Sequence, residues 1–298
     1  MSLLKEILQN QSEFRLHTGN INAWGELKRQ HYANSAEELI ECIKLQLKDW
    51  EPNSLDLNDG SVGKVYLCRS KVCPLNLSAN SDISDLKITL KIFLSKFDGQ
   101  QVQHALKVIL QELDNDEITV EKLIISLPEI EFAEGLTDDQ ETDIFLKKME
   151  PVWTVLEDLV LGSAEGGVKI LQIGVADLEL PELRALHDNA PRVKPSIDHY
   201  NIQGCCAVPP ELQEFAKSRN IQLLTHNDPK PFATSERLKA ICTDSLGLEP
   251  KCCEQWEFGW VGRYTVMIRS RSVLIAKGFV VDFRKSTGAA TSCAVNNC

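Results

Sequence analysis

The sequence predicts an α/β protein whose strands and helices form a (β/α)8 barrel of the TIM type, with a less regular N-terminal region and a mobile C-terminal tail. Short strand-like runs alternate with amphipathic helices between Leu86 and Thr225, with short connections. The runs are apolar on both faces or nearly so, as in a parallel sheet covered by helices. Because at least five such units follow one another, a closed barrel is favoured over an open doubly wound sheet.

Each element follows from a local pattern of apolar residues. The strand-like runs are, in order, LKITLKIFL (86–94), VEKLIISLP (120–128), VKILQIGV (168–175), SIDHYNIQ (196–203) and IQLL (221–224). Apolar residues at helical spacing predict helices in AEELIECIKLQLKDW (36–50), GQQVQHALKVILQEL (99–113), PVWTVLEDLVLG (151–162) and PPELQEFAKSRN (209–220). Pro151 suits the first turn of the third helix and Gly162 its end, while Asn220 suits a left-handed stop after the fourth.

The chain is predicted to form one domain over residues 1–284, with the part up to about residue 80 less regular. Residues 285–298, RKSTGAATSCAVNNC from position 284 onward, are polar and rich in turn-forming residues. This cysteine-containing segment has little to bury, so we expect a flexible tail.

The charge balance and composition exclude several classes of partner. A net charge of -11 argues against nucleic acid, because binding to phosphates draws on clustered Lys and Arg. No run approaches the roughly 18 apolar residues that span a bilayer, and the N-terminus lacks the features of a signal peptide. Ten cysteines without a secretion signal favour free thiols in a reducing compartment, here the cytoplasm. None of them forms a Cys-x-x-Cys pair, so no metal site is expected.

Two clusters lie where a strand gives way to a loop. Cys205 and Cys206 precede the helix at 209–220, and His226 follows the strand run at 221–224. A cysteine nucleophile would need a nearby base such as His226, whereas the alternative is a small apolar pair buried at the end of a strand. Cys252 and Cys253 form a second vicinal pair.

Aromatic residues are dense in the segment QWEFGWVGRY. Trp256, Trp260 and Tyr264 lie within nine residues of one another, after an unusually long connection from Asp228 to Glu254. Such density is typical either of packing beneath the sheet or of a partner-binding hot spot, and the sequence leaves both open.

No nucleotide-binding loop is recognisable, so no cofactor is expected. Gly60, Gly63 and Lys64 in DGSVGKVY resemble a fragment of a P-loop, but the spacing differs and Val65 replaces the residue that would hold magnesium.

The runs LKITLKIFL and LIISLP, the helix that ends at Gly162, and ILQIGVADLELPEL together resemble an aldo-keto reductase barrel. That resemblance implies reduction of carbonyl compounds with NADPH by an Asp, Tyr, Lys and His tetrad, in which the tyrosine donates the proton. Lys91 matches the lysine of the tetrad, but Ser126 stands where the histidine belongs. His226 falls near the tyrosine that would stack on the nicotinamide.

The sequence around the tyrosine of the tetrad also departs from the pattern of the family. Tyr66 is the only plausible tyrosine, and Ser61 occupies the place of the aspartate five residues before it. The resemblance therefore implies a barrel without hydride transfer, in which Lys91, Ser126 and His226 mark a vestigial pocket.

A closer resemblance covers residues from about Leu16 to Arg284. The segments HTGNINAWGELKR, CCAVPPEL and FAKSRNIQLLTHNDPK are similar to those of the modifier, or regulatory, subunits of glutamate–cysteine ligase. This resemblance implies a non-catalytic partner of the ligase catalytic subunit, which joins glutamate to cysteine with ATP in the first step of glutathione synthesis. It implies a higher affinity of that subunit for glutamate and relief of feedback inhibition by glutathione.

Two hypotheses place this role on residues. Trp256, Trp260 and Tyr264 are the candidate partner-binding residues, and Cys205 and Cys206, with Cys252 and Cys253 in reserve, are candidates for an intersubunit disulfide. The alternatives are an active NADP-dependent aldo-keto reductase with a rearranged acid, and a scaffold that leaves the kinetics of its partner unchanged.

Overall fold

A computed structural model describes residues 12–48, 55–56, 63–66, 83–113, 118–162, 168–204, 207–245, 247 and 253–286. Contacts between Cα atoms divide the chain into two compact units. The first comprises residues 1–73, 233–261 and 278–298, and the second comprises residues 74–232 and 262–277. The expected tail from residue 287 onward lies outside the described residues.

Ten strands and seven α-helices lie in the described part of the chain. The strands are β1 (Glu13–His17), β2 (Leu55–Asp56), β3 (Gly63–Tyr66), β4 (Leu86–Leu94), β5 (Thr119–Ser126), β6 (Lys169–Ala176), β7 (Ile197–Asn201), β8 (Gln222–His226), β9 (Trp256–Ile268) and β10 (Val273–Lys285). The helices are α1 (Gly25–Lys28), α2 (Ser35–Lys48), α3 (Gly99–Glu112), α4 (Asp138–Val160), α5 (Leu180–Asn189), α6 (Pro210–Ser218) and α7 (Ser235–Ala240). Short 3-10 turns lie at Ile21–Ala23 and Ile83–Asp85, and a π-helical turn lies at Ile241–Ser245.

The second unit is built on five parallel strands. Its strand order is β9-β4-β5-β6-β7-β8, and β4 to β8 pair in parallel with their neighbours. The register aligns Lys91 with Ile124, and Ile124 with Gly174. Ile124, Ala176 and Ile197 form a buried apolar cluster on one face of these strands. The predicted alternation of strands and helices from β4 to β8 is therefore confirmed.

The first unit packs around β1, which pairs in parallel with β3 and antiparallel with β10. The ring of Phe14 on β1 stacks on Phe283 at 4.4 Å and meets the edge of Trp256 at 4.8 Å. Arg15 and Arg284 both contact the fully buried carboxylate of Asp282, at 3.1 and 2.8 Å. The aromatic contacts thus join β1 to β9 and β10, and the ion pair of Arg15 with Asp282 joins β1 to β10.

The α/β class is confirmed, but the closed barrel is not. In the second unit the parallel array ends at β8, whose strand neighbour among the described residues is β7 alone. The chain then enters α7 and two long strands, β9 and β10, which are joined by a short turn at residues 269–272. A closed barrel requires eight parallel βα units, and this sequence supplies five in succession before it changes to a hairpin.

One helix begins earlier than expected. The sequence prediction places the start of α4 at Pro151, whereas the helix runs from Asp138 and contains Pro151 in its interior. Thr137 caps this helix together with Gln140, whose side chain accepts from the amide of Thr137 at 2.9 Å. The helix therefore begins at its capping box. Pro151 lies inside the helix, although a proline there removes one backbone hydrogen bond.

Two predicted helix ends are confirmed by their backbone angles. Gly162 after α4 has a φ of 70° and Asn220 after α6 has a φ of 57°, both in the left-handed region. The connection between Asp228 and Glu254 is not a bare loop, since it contains α7 and the π-helical turn.

Candidate functional site

A cluster of charged and polar side chains lies at the carboxyl ends of the parallel strands in the second unit. Lys91 lies in the middle of β4, and the other members lie on or just after the next strands of the sheet. They are Ser126 at the end of β5, Asp177 after β6, His199 on β7, His226 at the end of β8, and Asp228 two residues later. Arg263 on β9 completes the cluster. Parallel strands present their carboxyl ends at one edge, which is where α/β proteins place their sites.

Lys91 is held inside the protein by a carboxylate. Its side chain is 2% exposed, and Nζ donates to Oδ2 of Asp228 at 2.8 Å. Nζ also lies 3.4 Å from Nε2 of His226 and 4.9 Å from the centre of the Phe93 ring. Burial lowers the pKa of Lys91 to about 8, although Asp228 opposes the shift and the guanidinium of Arg263 adds to it.

Asp228 is the centre of the cluster. Its two oxygens accept from the two terminal nitrogens of Arg263 at 2.9 and 3.2 Å, in addition to the bond from Lys91. Burial alone would raise the pKa of Asp228, but the contact with His226 and the charges of Arg263 and Lys91 outweigh it and hold the pKa far below its usual range. Asp228 is therefore ionised at neutral pH.

His226 lies between two carboxylates. Its Nε2 is 2.9 Å from the carbonyl oxygen of His199 and 3.0 Å from Oδ1 of Asp177, and its Nδ1 is 3.3 Å from Oδ2 of Asp228. Both the His199 carbonyl and the Asp177 carboxylate lie within hydrogen-bonding distance of Nε2. Burial opposes protonation, but Asp177 and Asp228 together raise the pKa of His226.

Asp177 occupies an unusual backbone conformation. Its φ of 64° places a residue with a side chain in the left-handed region, directly after β6. Oδ2 of Asp177 accepts from the hydroxyl of Ser126 at 3.4 Å, so the serine joins the cluster through this carboxylate. Burial alone would raise the pKa of Asp177, but the contact with His226 lowers it overall.

Two neutral groups border the cluster. Asp198 is fully buried, and neither of its carboxyl oxygens has a hydrogen-bond partner of good geometry among the described residues. Burial raises the pKa of Asp198 to about 8, with added repulsion from Asp177, while the amide of Leu178 favours the charged form slightly. Burial also lowers the pKa of His199 to about 3, and the positive charge of Lys91 adds to that effect.

The charged side chains of this cluster pair with one another instead of facing the solvent. Lys91 and Arg263 both form ion pairs with Asp228, and the side chain of Lys91 has almost no exposed surface. Such a network braces the ends of β4, β8 and β9, because removal of one partner would leave a buried charge uncompensated. Within the described part of the chain, no group of three His, Cys, Asp or Glu side chains is placed to hold a metal ion.

The structure brings together the three residues of the expected vestigial pocket. Lys91 and His226 are in contact, and Ser126 is linked to His226 through Asp177. The pocket interpretation itself stays a prediction. Sequence reasoning missed Asp228 as the partner of Lys91, and Arg263 as the second cation bound to Asp228. A lysine in the apolar run ITLKIFL has to be paired when it is buried, and this requirement is the signal that could have led to Asp228.

The other candidate residues lie elsewhere. The rings of Trp256, Trp260 and Tyr264 are 6%, 0% and 2% exposed, so they pack inside the protein. Their partner-binding role stays a prediction, and burial favours the packing alternative. Cys253 is a buried thiol, and burial together with the neighbouring Cys253 thiol raises the pKa of Cys242. The three remaining candidate cysteines lie outside the described residues: Cys205, Cys206 and Cys252.

Comparison with known proteins gives relatives across nearly the whole chain, although no family model matches it. The chain is 29% identical to a human protein named glutamate–cysteine ligase regulatory subunit, over 94% of this chain and 96% of the human one. Mouse and bovine proteins of the same name are 28% and 27% identical, each over 94% of this chain and 95% of its own length. The resemblance to glutamate–cysteine ligase regulatory subunits, predicted from the sequence, is confirmed. No helix in the described ranges is both long and apolar enough to cross a membrane.

Proposed function

We propose, from the similarity to glutamate–cysteine ligase regulatory subunits over 94% of its length, that this chain is a non-catalytic regulatory subunit of that ligase. It binds the catalytic subunit, raises the affinity of that subunit for glutamate and relieves feedback inhibition by glutathione. The similarity is the observation that carries the proposal, because it extends over both compact units.

The cluster around Asp228 supports the absence of a reductase activity. A reductase of the aldo-keto type needs a lysine that tunes a tyrosine proton donor. Here the amine of Lys91 is bonded to Asp228 at 2.8 Å, and Ser126 stands in the place of the histidine. Because a serine cannot take the role of the histidine, we propose that the tetrad is broken and that the protein needs no cofactor of its own.

Regulation requires that the subunit bind one conformation of its partner more tightly than another. A coupling free energy of about 1–3 kcal/mol changes the affinity for substrate roughly 5- to 150-fold. An effect of this size needs only a modest difference in the contacts made with the two conformations.

A cytoplasmic location is part of the proposal. The described cysteines Cys42, Cys242 and Cys253 are buried thiols, as expected in a reducing compartment. An intersubunit disulfide through Cys205 or Cys206 is a further part, with Cys252 and Cys253 in reserve; Cys253 is 4% exposed. Non-reducing electrophoresis of the mixed subunits tests it, since a reducible band should disappear when Cys205 and Cys206 are replaced by serine.

The segment from Trp256 to Tyr264 remains a proposed contact with the partner. Because Trp260 is fully buried, a test at this segment has to separate loss of folding from loss of binding.

The proposal as a whole is tested by mixing this protein with the purified catalytic subunit and measuring complex formation by size-exclusion chromatography. The same mixtures are assayed for ligase activity at a glutamate concentration well below half-saturation. A complex with increased activity supports the regulatory role. A complex without any change in activity would indicate a scaffold, and the absence of a complex would contradict the proposal.

A further inference from the structure

A cleft separate from the Asp228 cluster lies in the second unit. It has a volume of about 510 Å³ and follows the carboxyl ends of β4 and β5. Residues 95–97 form one side, residues 128–131 of the β5–α4 connection form another, and α4 contributes Lys147, Lys148 and Pro151. We call this feature the β4–β5 cleft.

The walls of the cleft carry opposite charges. Lys147 and Lys148 lie side by side on α4, and Glu129 and Glu131 lie on the β5–α4 connection. All four residues are exposed. None of the four forms an ion pair within the described part of the chain, so the two walls do not neutralise each other.

Apolar residues lie between these charged walls. Phe97, Pro128 and Ile130 line the cleft and are each half-buried. The amine of Lys148 lies 5.8 Å from the centre of the Phe97 ring, which holds this lysine over the apolar part. An apolar centre with a charged, hydrated rim is the usual anatomy of a protein–protein contact.

The wall formed by α4 is fixed by close packing. A Cβ atom on Gly99, the first residue of α3, would lie 2.5 Å from the carbonyl oxygen of Pro151. The two helices therefore approach each other at a distance that only glycine permits, next to the lysines of the rim. A rigid wall lowers the entropic cost of binding.

We propose that the β4–β5 cleft is a docking site for a segment of the ligase catalytic subunit in which apolar residues lie between an acidic and a basic group. The acidic group faces Lys147 and Lys148, and the basic group faces Glu129 and Glu131. This proposal rests on the proposed function. A polypeptide segment fits the cleft better than a small metabolite does, because small ligands bind in pockets that enclose most of their surface, whereas the charged rim here is open.

The test uses the full chain and charge reversal on each wall. Lys147→Glu with Lys148→Glu should weaken binding to the catalytic subunit about 10- to 100-fold, because like charges then face each other. Glu129→Lys with Glu131→Lys should have a similar effect. Lys169→Glu with Lys217→Glu is the matched control, since both lysines are exposed, lie outside the cleft and give the same change in net charge.

Dissociation constants are measured by surface plasmon resonance at about 0.05 M and about 0.5 M salt, after circular dichroism has shown that each variant is folded. The difference between the rim variants and wild type should shrink at the higher salt concentration. Rim variants that bind like the control would overturn the docking site, and a loss restricted to one wall would overturn its two-sided form. If the wild-type protein itself did not bind, the proposed function would fail, independently of the cleft.

Discussion

The substitution Asp228→Asn tests whether the buried cluster stabilises the second unit. In the wild-type protein Asp228 accepts one bond from Lys91 at 2.8 Å and two from Arg263 at 2.9 and 3.2 Å, with 4% of its side chain exposed. Asparagine keeps the shape but removes the charge, which leaves the buried amine of Lys91 and the half-buried guanidinium of Arg263 without this counter-ion. Breaking a buried pair in this way costs about 3–5 kcal/mol, so the free energy of unfolding should fall by that amount.

The matched control is Asp158→Asn, which makes the same chemical change at an exposed pair. Asp158 contacts Arg192 at 2.6 Å, and the two side chains are 35% and 39% exposed. A pair that is this accessible to water contributes about 0–1 kcal/mol. Both variants are unfolded with urea and followed by circular dichroism at neutral pH. The reasoning would be refuted if the two substitutions destabilised the protein equally, or if Asp228→Asn stayed within about 1 kcal/mol of wild type.

Three further substitutions give distinct outcomes. The carboxyl group of Asp198 has a pKa raised to about 8, so between pH of about 4 and 8 the folded protein holds a proton that the unfolded chain has released, and stability falls as the pH rises. Asp198→Asn should remove up to about 1.4 kcal/mol per pH unit from this slope, which makes the variant more stable than wild type at pH 8 and equal to it near pH 4 in urea titrations. A slope identical to that of wild type would argue against a protonated Asp198. Trp260→Ala should lower the free energy of unfolding by about 3–5 kcal/mol, because the ring is fully buried; a loss of partner binding with unchanged stability would instead favour a direct contact. Gly174→Ala should lower the free energy of unfolding by about 1–3 kcal/mol and with it the melting temperature, since its Cβ would lie 2.5 Å from Cβ of Ile197. An unchanged melting temperature would show that β7 can move away.

Local patterns predicted much of the secondary structure. The alternating runs from β4 to β8 and the left-handed stop at Asn220 depend on neighbouring residues, and both are confirmed. The start of α4 was also a local signal, but Pro151 is more conspicuous in the sequence than the Thr137 and Gln140 capping box. The closed barrel is not confirmed, because five βα units do not determine whether a sixth unit or a hairpin comes next.

The candidate site was only partly predictable, because its bonds join residues that are far apart in the chain. Lys91 and Asp228 are separated by 137 positions, and no periodicity links them. The aromatic segment shows the same limit, since density alone does not distinguish packing from an exposed contact. Trp260 is fully buried, which favours packing for this ring and could not be read from the sequence.

The regulatory role is tested most directly by the glutamate saturation curve of the purified catalytic subunit, measured with and without this protein and with and without glutathione. A regulatory subunit should give a lower half-saturation concentration for glutamate, or weaker inhibition by glutathione, when the complex is formed. The expected change in apparent affinity is roughly 5- to 150-fold. Curves that coincide under both conditions, although the complex is present, would contradict the central claim.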